Sequence, residues 1–305
     1  MKNPAFLLVV LDRSSSDHAL VTKAARLARR LGARLELFLC DAEHAYELKH
    51  DYEPRHNDAV RRSCVTQAVE YLNGLRTAAH LPEILTSVSA ACESPLYEGI
   101  VRKVMESRPN MVIKNASGVD SPARWAFDPN DWQLMRKCPV TLLMTRGRAW
   151  RAHPRFAAAV DMSAQETAGL AHSIIETSAV LSAAHGSETD VLYSEEDGAP
   201  GATKAAHARA LRELVEECHV DINGVRMLDG APERTLPAAL LEAHYDVLTM
   251  GALTHRPGVT TLVGTLTSKL VDAADCDFVL VKPAGLRLPV EMKSHAYESS
   301  GRGSE

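Results

Sequence analysis

Short apolar, β-branched runs alternate with longer stretches at helical spacing, and this alternation occurs twice along the chain. In the first half FLLVVLD (6–12) precedes a helical pattern over 14–31. RLELFLCD (34–41) precedes another near 57–79, and MVIKN (111–115) and VTLLMT (140–145) close the unit. The second half repeats the order with RFAAAVD (155–161), DVLYS (190–194), INGVRML (222–228), DVLTMGA (246–252) and FVLVKP (278–283), separated by helical patterns over 163–183, 202–217, 233–244 and after Gly264. Apolar strands alternating with helices imply a parallel sheet covered on both faces, with right-handed crossovers. The fold class is therefore α/β, in two tandem open doubly wound units.

The halves also agree in detail. FLLVVLDRSSSDHA runs parallel to RFAAAVDMSAQETA and sets Asp12 against Asp161, while Cys138 and Cys276 each open a closing strand. The expected domains are residues 1–145 and 156–292, joined by a basic, aperiodic linker over 146–155 and followed by a polar, flexible tail over 293–305. Two apolar closing strands need cover, so the halves are expected to pair through them as an internal pseudo-dimer; further homo-oligomerisation is compatible with this.

Charge and cysteine usage exclude several function classes. Residues 1–150 carry 21 Lys and Arg against 17 Asp and Glu, and the remainder 13 against 22, so net charges of +4 and −9 make up the chain's −5. An acidic second half is a poor footprint for nucleic acid. FLLVVLD is too short to span a membrane and lacks a cleavage site, so no membrane partner and a cytoplasmic location are expected. The six cysteines form no CxxC pair and read as small apolar residues in a reducing compartment. His44, His50 and His56 form the densest metal-capable set, but their spacing matches no compact zinc motif and HAYELKHDYEPRHN reads as a solvated loop. No metal is expected. No spacing selects a catalytic triad, and no catalytic residue is assigned.

In an open α/β sheet, ligands bind beyond the carboxyl ends of the strands where strand order reverses. In the second half those ends carry Asp161, Ser194, Asp229-Gly230 and Gly251. Asp161 reads either as a ribose or base acceptor or as a helix N-cap. The stretch MGALTHRPGVTTLVGTLT (250–267) sets Gly251 at a strand end and Gly264-Thr265 at a helix start, whose unsatisfied N–H groups and dipole suit phosphate. His255 and Arg256 add cations across the loop. The same pattern also serves as an ordinary turn between strand and helix.

The tandem duplication, the Asp closing the first strand and the segment MGALTHRPGVTTLVGTLTSKLVDAADCDFVLVKP resemble the universal stress protein family, and RKCP in the first half resembles its tandem, E-type bacterial members. The resemblance spans about residues 4 to 292 and implies an adenine-nucleotide alpha hydrolase-like fold. In the family's ATP-binding branch the loop reads glycine, two residues, glycine, nine residues, glycine, then serine or threonine. Here Gly251, Gly264 and Thr265 match, and Thr254 stands where the second glycine belongs. The resemblance implies ATP or AMP as cofactor, with Asp161 at the adenosine and Gly251, Thr254, Arg256, Gly264, Thr265 and Thr267 along the phosphates. The first half has Asn115 in place of Gly251 and Asp128 near the place of Gly264, and a negative charge there opposes phosphate. A degenerate first site and a partial second site are expected, in a stress-response protein with at most weak ATP hydrolysis. The alternatives are an enzyme or carrier for a small or lipid-like ligand, held in the first domain or between the domains, and a structural pseudo-dimer without ligand.

Overall fold

The computed structural model describes residues 4–49, 54–82, 86–116, 128–162, 169–195, 198, 200–252, 267, 269–270 and 274–283. Its first five strands are β1 (Phe6–Leu11), β2 (Arg34–Cys40), β3 (Thr86–Ala91), β4 (Met111–Asn115) and β5 (Thr141–Thr145). The next five are β6 (Phe156–Ala159), β7 (Thr189–Glu195), β8 (Gly224–Asp229), β9 (Val247–Gly251) and β10 (Asp277–Val281). They lie in the order β3-β2-β1-β4-β5-β10-β9-β6-β7-β8. Each half therefore runs third, second, first, fourth, fifth, and every pairing within a half is parallel.

The halves meet where β5 and β10 pair antiparallel, with Leu143 opposite Val279. The duplication expected from sequence is present, but its two units do not keep separate sheets. The last strand of each supplies the ladder that the other lacks, and one ten-stranded sheet results. Central strands are buried on both faces: all six residues of β1 are buried, as are all five of β10. This explains their unbroken apolar runs.

Helices cover both faces. They are α1 (Asp17–Leu31), α2 (Ala42–Lys49), α3 (Pro54–Ala78), α4 (Leu96–Ser107), α5 (Pro129–Lys137), α6 (Leu170–Ala183), α7 (Gly201–Cys218) and α8 (Pro232–Ala243). α1 buries Leu20, Val21, Ala24, Leu27 and Ala28 and stops at Gly32, whose left-handed φ of 60° suits glycine. One core lies under α1, α3 and α6, and a second under α4, α5 and α8. No helix among the described residues is long and apolar enough to cross a membrane.

Three local expectations change. α1 begins at Asp17 rather than Ser14, and its cap Ser16 makes no side-chain capping bond. Residues 44–49 of the stretch expected as a loop belong to α2, because Asp41 accepts the backbone N–H of His44 at 3.2 Å while Ala45 and Leu48 bury against the following helix. α6 begins at Leu170, behind its left-handed N-cap Gly169, rather than at 163; residues 163–168 lie outside the described residues.

A single carboxylate ties the seam. Asp277, buried at the start of β10, accepts from Lys23 Nζ at 2.5 Å, Trp150 Nε1 at 2.6 Å and Arg146 N at 2.8 Å. The segment between the halves is accordingly packed down. Trp150 is buried with its ring edge-on to Phe156, and Arg151 grips Asp246.

Candidate functional site

Strand order reverses once in each half, between β1 and β4 and between β6 and β9. The carboxyl ends of those strands define two crevices of the kind that holds ligands in open α/β sheets.

At the second crevice, Asp161 follows β6 and is exposed, while Gly251 ends β9 beside Val281 of β10. The missing side chain at Gly251 has a local use. A Cβ there would lie 3.0 Å from Leu170 Cδ2 and 3.7 Å from Ile174 Cδ1, so the strand end can pack closely under α6. Thr267 is helical and buried. Thr254, His255, Arg256, Gly264 and Thr265 lie outside the described residues.

The flanking strand ends are occupied by polar pairs. Glu195, buried at the end of β7, sits 2.8 Å from His207 Nδ1, which also lies 3.1 Å from the Tyr193 hydroxyl. Ser194 contacts the Thr235 hydroxyl, and Asp229 takes Lys204 at 2.6 Å.

The first crevice is filled. Asn115, at the place of Gly251, is buried; its amide donates to Ser16 Oγ at 2.9 Å and accepts from Thr145 Oγ1 at 2.5 Å. Next to it Lys114, 2% exposed, donates to Asp131 Oδ1 at 2.9 Å and to the Asn115 carbonyl at 2.8 Å. Asp131 is 0% exposed, so the pair balances two charges that neither could carry alone in this core. Asp128 is the N-cap of α5, accepting from Asp131 N at 2.7 Å, as its position before a helical pattern suggested.

Beside this network Asp17 accepts from Arg13 N at 3.0 Å and Tyr71 Oη at 2.9 Å. Burial pushes its carboxyl up to about 6, and the charge of Asp12 adds to the rise. Lys114, Asp131, Ser16 and Thr145 were not singled out from sequence. A lysine inside the apolar run MVIKN was the available signal, since a charge in a central strand requires a partner.

All six cysteines are buried and unbridged. Among the described residues, one metal-capable group stands out: Asp41, His44 and Cys64, whose ligand atoms lie within 4.8 Å of one another.

Comparison with known proteins places this geometry. Residues 7–146 match the universal stress protein family. Universal stress protein E of Photorhabdus laumondii is 23% identical over 310 residues, covering 95% of this chain and 99% of the relative. A functionally unknown protein from Pseudomonas aeruginosa superposes with a TM-score of 0.69 at 18% identity, over 92% of this chain and 93% of its own. A universal stress protein from Archaeoglobus fulgidus gives 0.63 at 13% identity, over 91% and 96%. The family match over residues 7–146, the relative aligned along nearly the whole chain and the strand order repeated in both halves agree: the first half matches the universal stress protein family, and the chain as a whole is similar to its tandem members.

Proposed function

We propose that this protein is a cytoplasmic stress-response protein of two domains, residues 1–145 and 156–292, joined by 146–155 and followed by a tail over 293–305, in which only the second domain takes an adenine nucleotide. The family match and the full-length relatives support the stress-response role. The observation that carries the nucleotide reading is the contrast at the two strand-order reversals. The β6/β9 crevice presents a glycine and an exposed carboxylate, whereas the β1/β4 crevice is plugged by Asn115 and its partners.

In this reading Asp161 accepts from the ribose or base, and the phosphates lie along Gly251, Gly264 and Thr265 at a helix start, with Arg256 and Thr267 contributing from the same stretch. Thr254 sets the affinity. Its Cβ occupies room that a glycine would leave to the phosphates, so binding is weaker than with a complete glycine pattern. The effect on the cell runs through ligand-dependent shape and partner binding rather than turnover, with ATP hydrolysis at most weak.

Calorimetry of the full chain with ATP and with AMP tests this. One nucleotide per chain is expected, strengthened by Thr254→Gly and abolished by Gly264→Asp. Measurable binding that Gly264→Asp leaves unchanged removes the phosphates from this stretch.

A further inference from the structure

The carboxyl ends of β2 and β3 carry a group of side chains that the nucleotide reading does not use. β2 and β3 pair in parallel with Cys40 opposite Ala91, and Asp41 N donates to the Ala91 carbonyl at 2.8 Å. Asp41 and Cys92 therefore leave the sheet side by side. Asp41 then caps α2, which swings His44 back until its Nδ1 lies 3.0 Å from both carboxylate oxygens. α3 packs against α2 and brings Cys64 into one apolar cluster with Ala45, Leu48 and Cys92. Cys64 and Cys92 are both buried in that cluster.

We propose that Asp41, His44, Cys64 and Cys92 form a zinc site at the ends of β2 and β3, separate from the nucleotide crevice. Two thiolates, an imidazole and a carboxylate make a four-coordinate set that favours zinc over magnesium or calcium. Zinc–ligand bonds of about 2.0–2.3 Å bring tetrahedral ligand atoms to roughly 3.5 Å from one another. The ligand atoms of Asp41, His44 and Cys64, now within 4.8 Å of one another, reach that spacing by side-chain rotation of about 1 Å, and Cys92 completes the set from the buried cluster it shares with Cys64.

The surroundings suit a cation. Asp41, Cys64 and Cys92 are buried, while His44 stays half exposed and leaves a route from solvent. Binding is a proton exchange: each thiol releases its proton to water as its sulfur bonds the metal, so one zinc displaces two protons. The bound set then carries −1, which the Arg13 guanidinium, 3.5 Å from Asp41 Oδ2, offsets. Burial and the Asp41 charge now hold the Cys64 thiol protonated, and burial with the neighbouring Cys64 pushes Cys92 up to about 11. A dication reverses both effects. Sequence spacing could not show this set, because its members lie at 41, 44, 64 and 92 and take only one histidine from the His44, His50, His56 group.

The test is cobalt and zinc titration of the reduced, chelator-stripped full-length protein. One cobalt per chain is expected, with a thiolate-to-cobalt charge-transfer band that one equivalent of zinc abolishes. The Cys64→Ser/Cys92→Ser double variant should lose the band. His44→Ala removes a half-exposed ring, so it should fold as the wild type does while binding zinc at least about tenfold more weakly. A wild-type protein without the band, a band that survives in the double variant, or unchanged zinc affinity in His44→Ala each overturns the assignment. None of these readouts depends on nucleotide, so the site stands or falls apart from the β6/β9 crevice.

Discussion

The β1/β4 and β6/β9 crevices occupy the same place in two copies of one topology, yet they have opposite contents. In the first, Asn115 reaches across to Ser16 and Thr145, and the ion pair of Lys114 and Asp131 lies sealed next to it. In the second, the corresponding strand end is Gly251, which leaves Leu170 close to the backbone and Asp161 open to solvent. A shared fold thus fixes where the strand ends lie but not which side chains stand at them. At one strand end a side chain bonds into the core, and at the other a glycine lets α6 pack directly on the strand.

Asp131→Ala should break the plugged crevice most severely, since it removes the carboxylate that the buried Lys114 ammonium faces. A loss of about 3–5 kcal/mol in urea unfolding is expected. A loss below about 1 kcal/mol would mean that this network is not what closes the crevice.

Exchanging the two strand-end residues sharpens the contrast. Gly251→Asn forces side-chain atoms against Leu170, and Asn115→Gly leaves the Ser16 and Thr145 hydroxyls without their partner; each should cost about 1–3 kcal/mol. Gly251→Asn should also abolish nucleotide binding. Asn115→Gly should create none, because Asp128 and Asp131 remain; nucleotide binding gained there would show that Asn115 alone had closed the first site.

The buried lysines of the two halves give a third contrast. Lys114 has a carboxylate, whereas Lys282 donates to the Met135 carbonyl and has no carboxylate ion pair among the described residues. Burial lowers the Lys282 ammonium from 10.5 to about 8. Between those values the unfolded chain binds more protons than the folded one, so this group makes stability rise with pH from about 8 toward 10.5. The buried thiols act in the opposite sense above about 9, where the unfolded chain begins to ionise and Cys138, held near 11, does not. Unfolding curves at pH 7, 8 and 9 should therefore show the lysine effect first. Lys282→Met should flatten the rise and stabilise the protein at pH 7 on the order of 1 kcal/mol.

The smallest stability change is expected at the β6/β9 crevice. Asp161→Ala alters an exposed side chain and should shift unfolding by less than about 0.5 kcal/mol. It should nonetheless weaken ATP binding. Unchanged affinity would leave Asp161 as local punctuation between strand and helix.

The repeated order of elements was legible because central strands buried on both faces must be apolar throughout, as FLLVVL and DFVLV are. β3 escaped notice because an edge strand reading TSVSAA is short and half polar, with no run to detect. α2 was hidden for a different reason: a charged eight-residue segment becomes helical only once Asp41 caps it and α3 covers Ala45 and Leu48. The same limit applies to the sites. Asp161 and Gly251 could be placed at strand ends by pattern, but the partners of Asn115 lie 99 and 30 residues away, and only the folded sheet brings them together.

The β5–β10 ladder also determines how the protein behaves at low abundance. A dimer of separate single-domain chains comes apart on dilution and can exchange partners. Here the two halves are tethered, at an effective concentration in the millimolar range whatever the number of copies in the cell. Each half meets the same mate for the lifetime of the molecule. Its closing edge is permanently occupied, and the two faces of that seam are free to diverge as a matched, unequal pair.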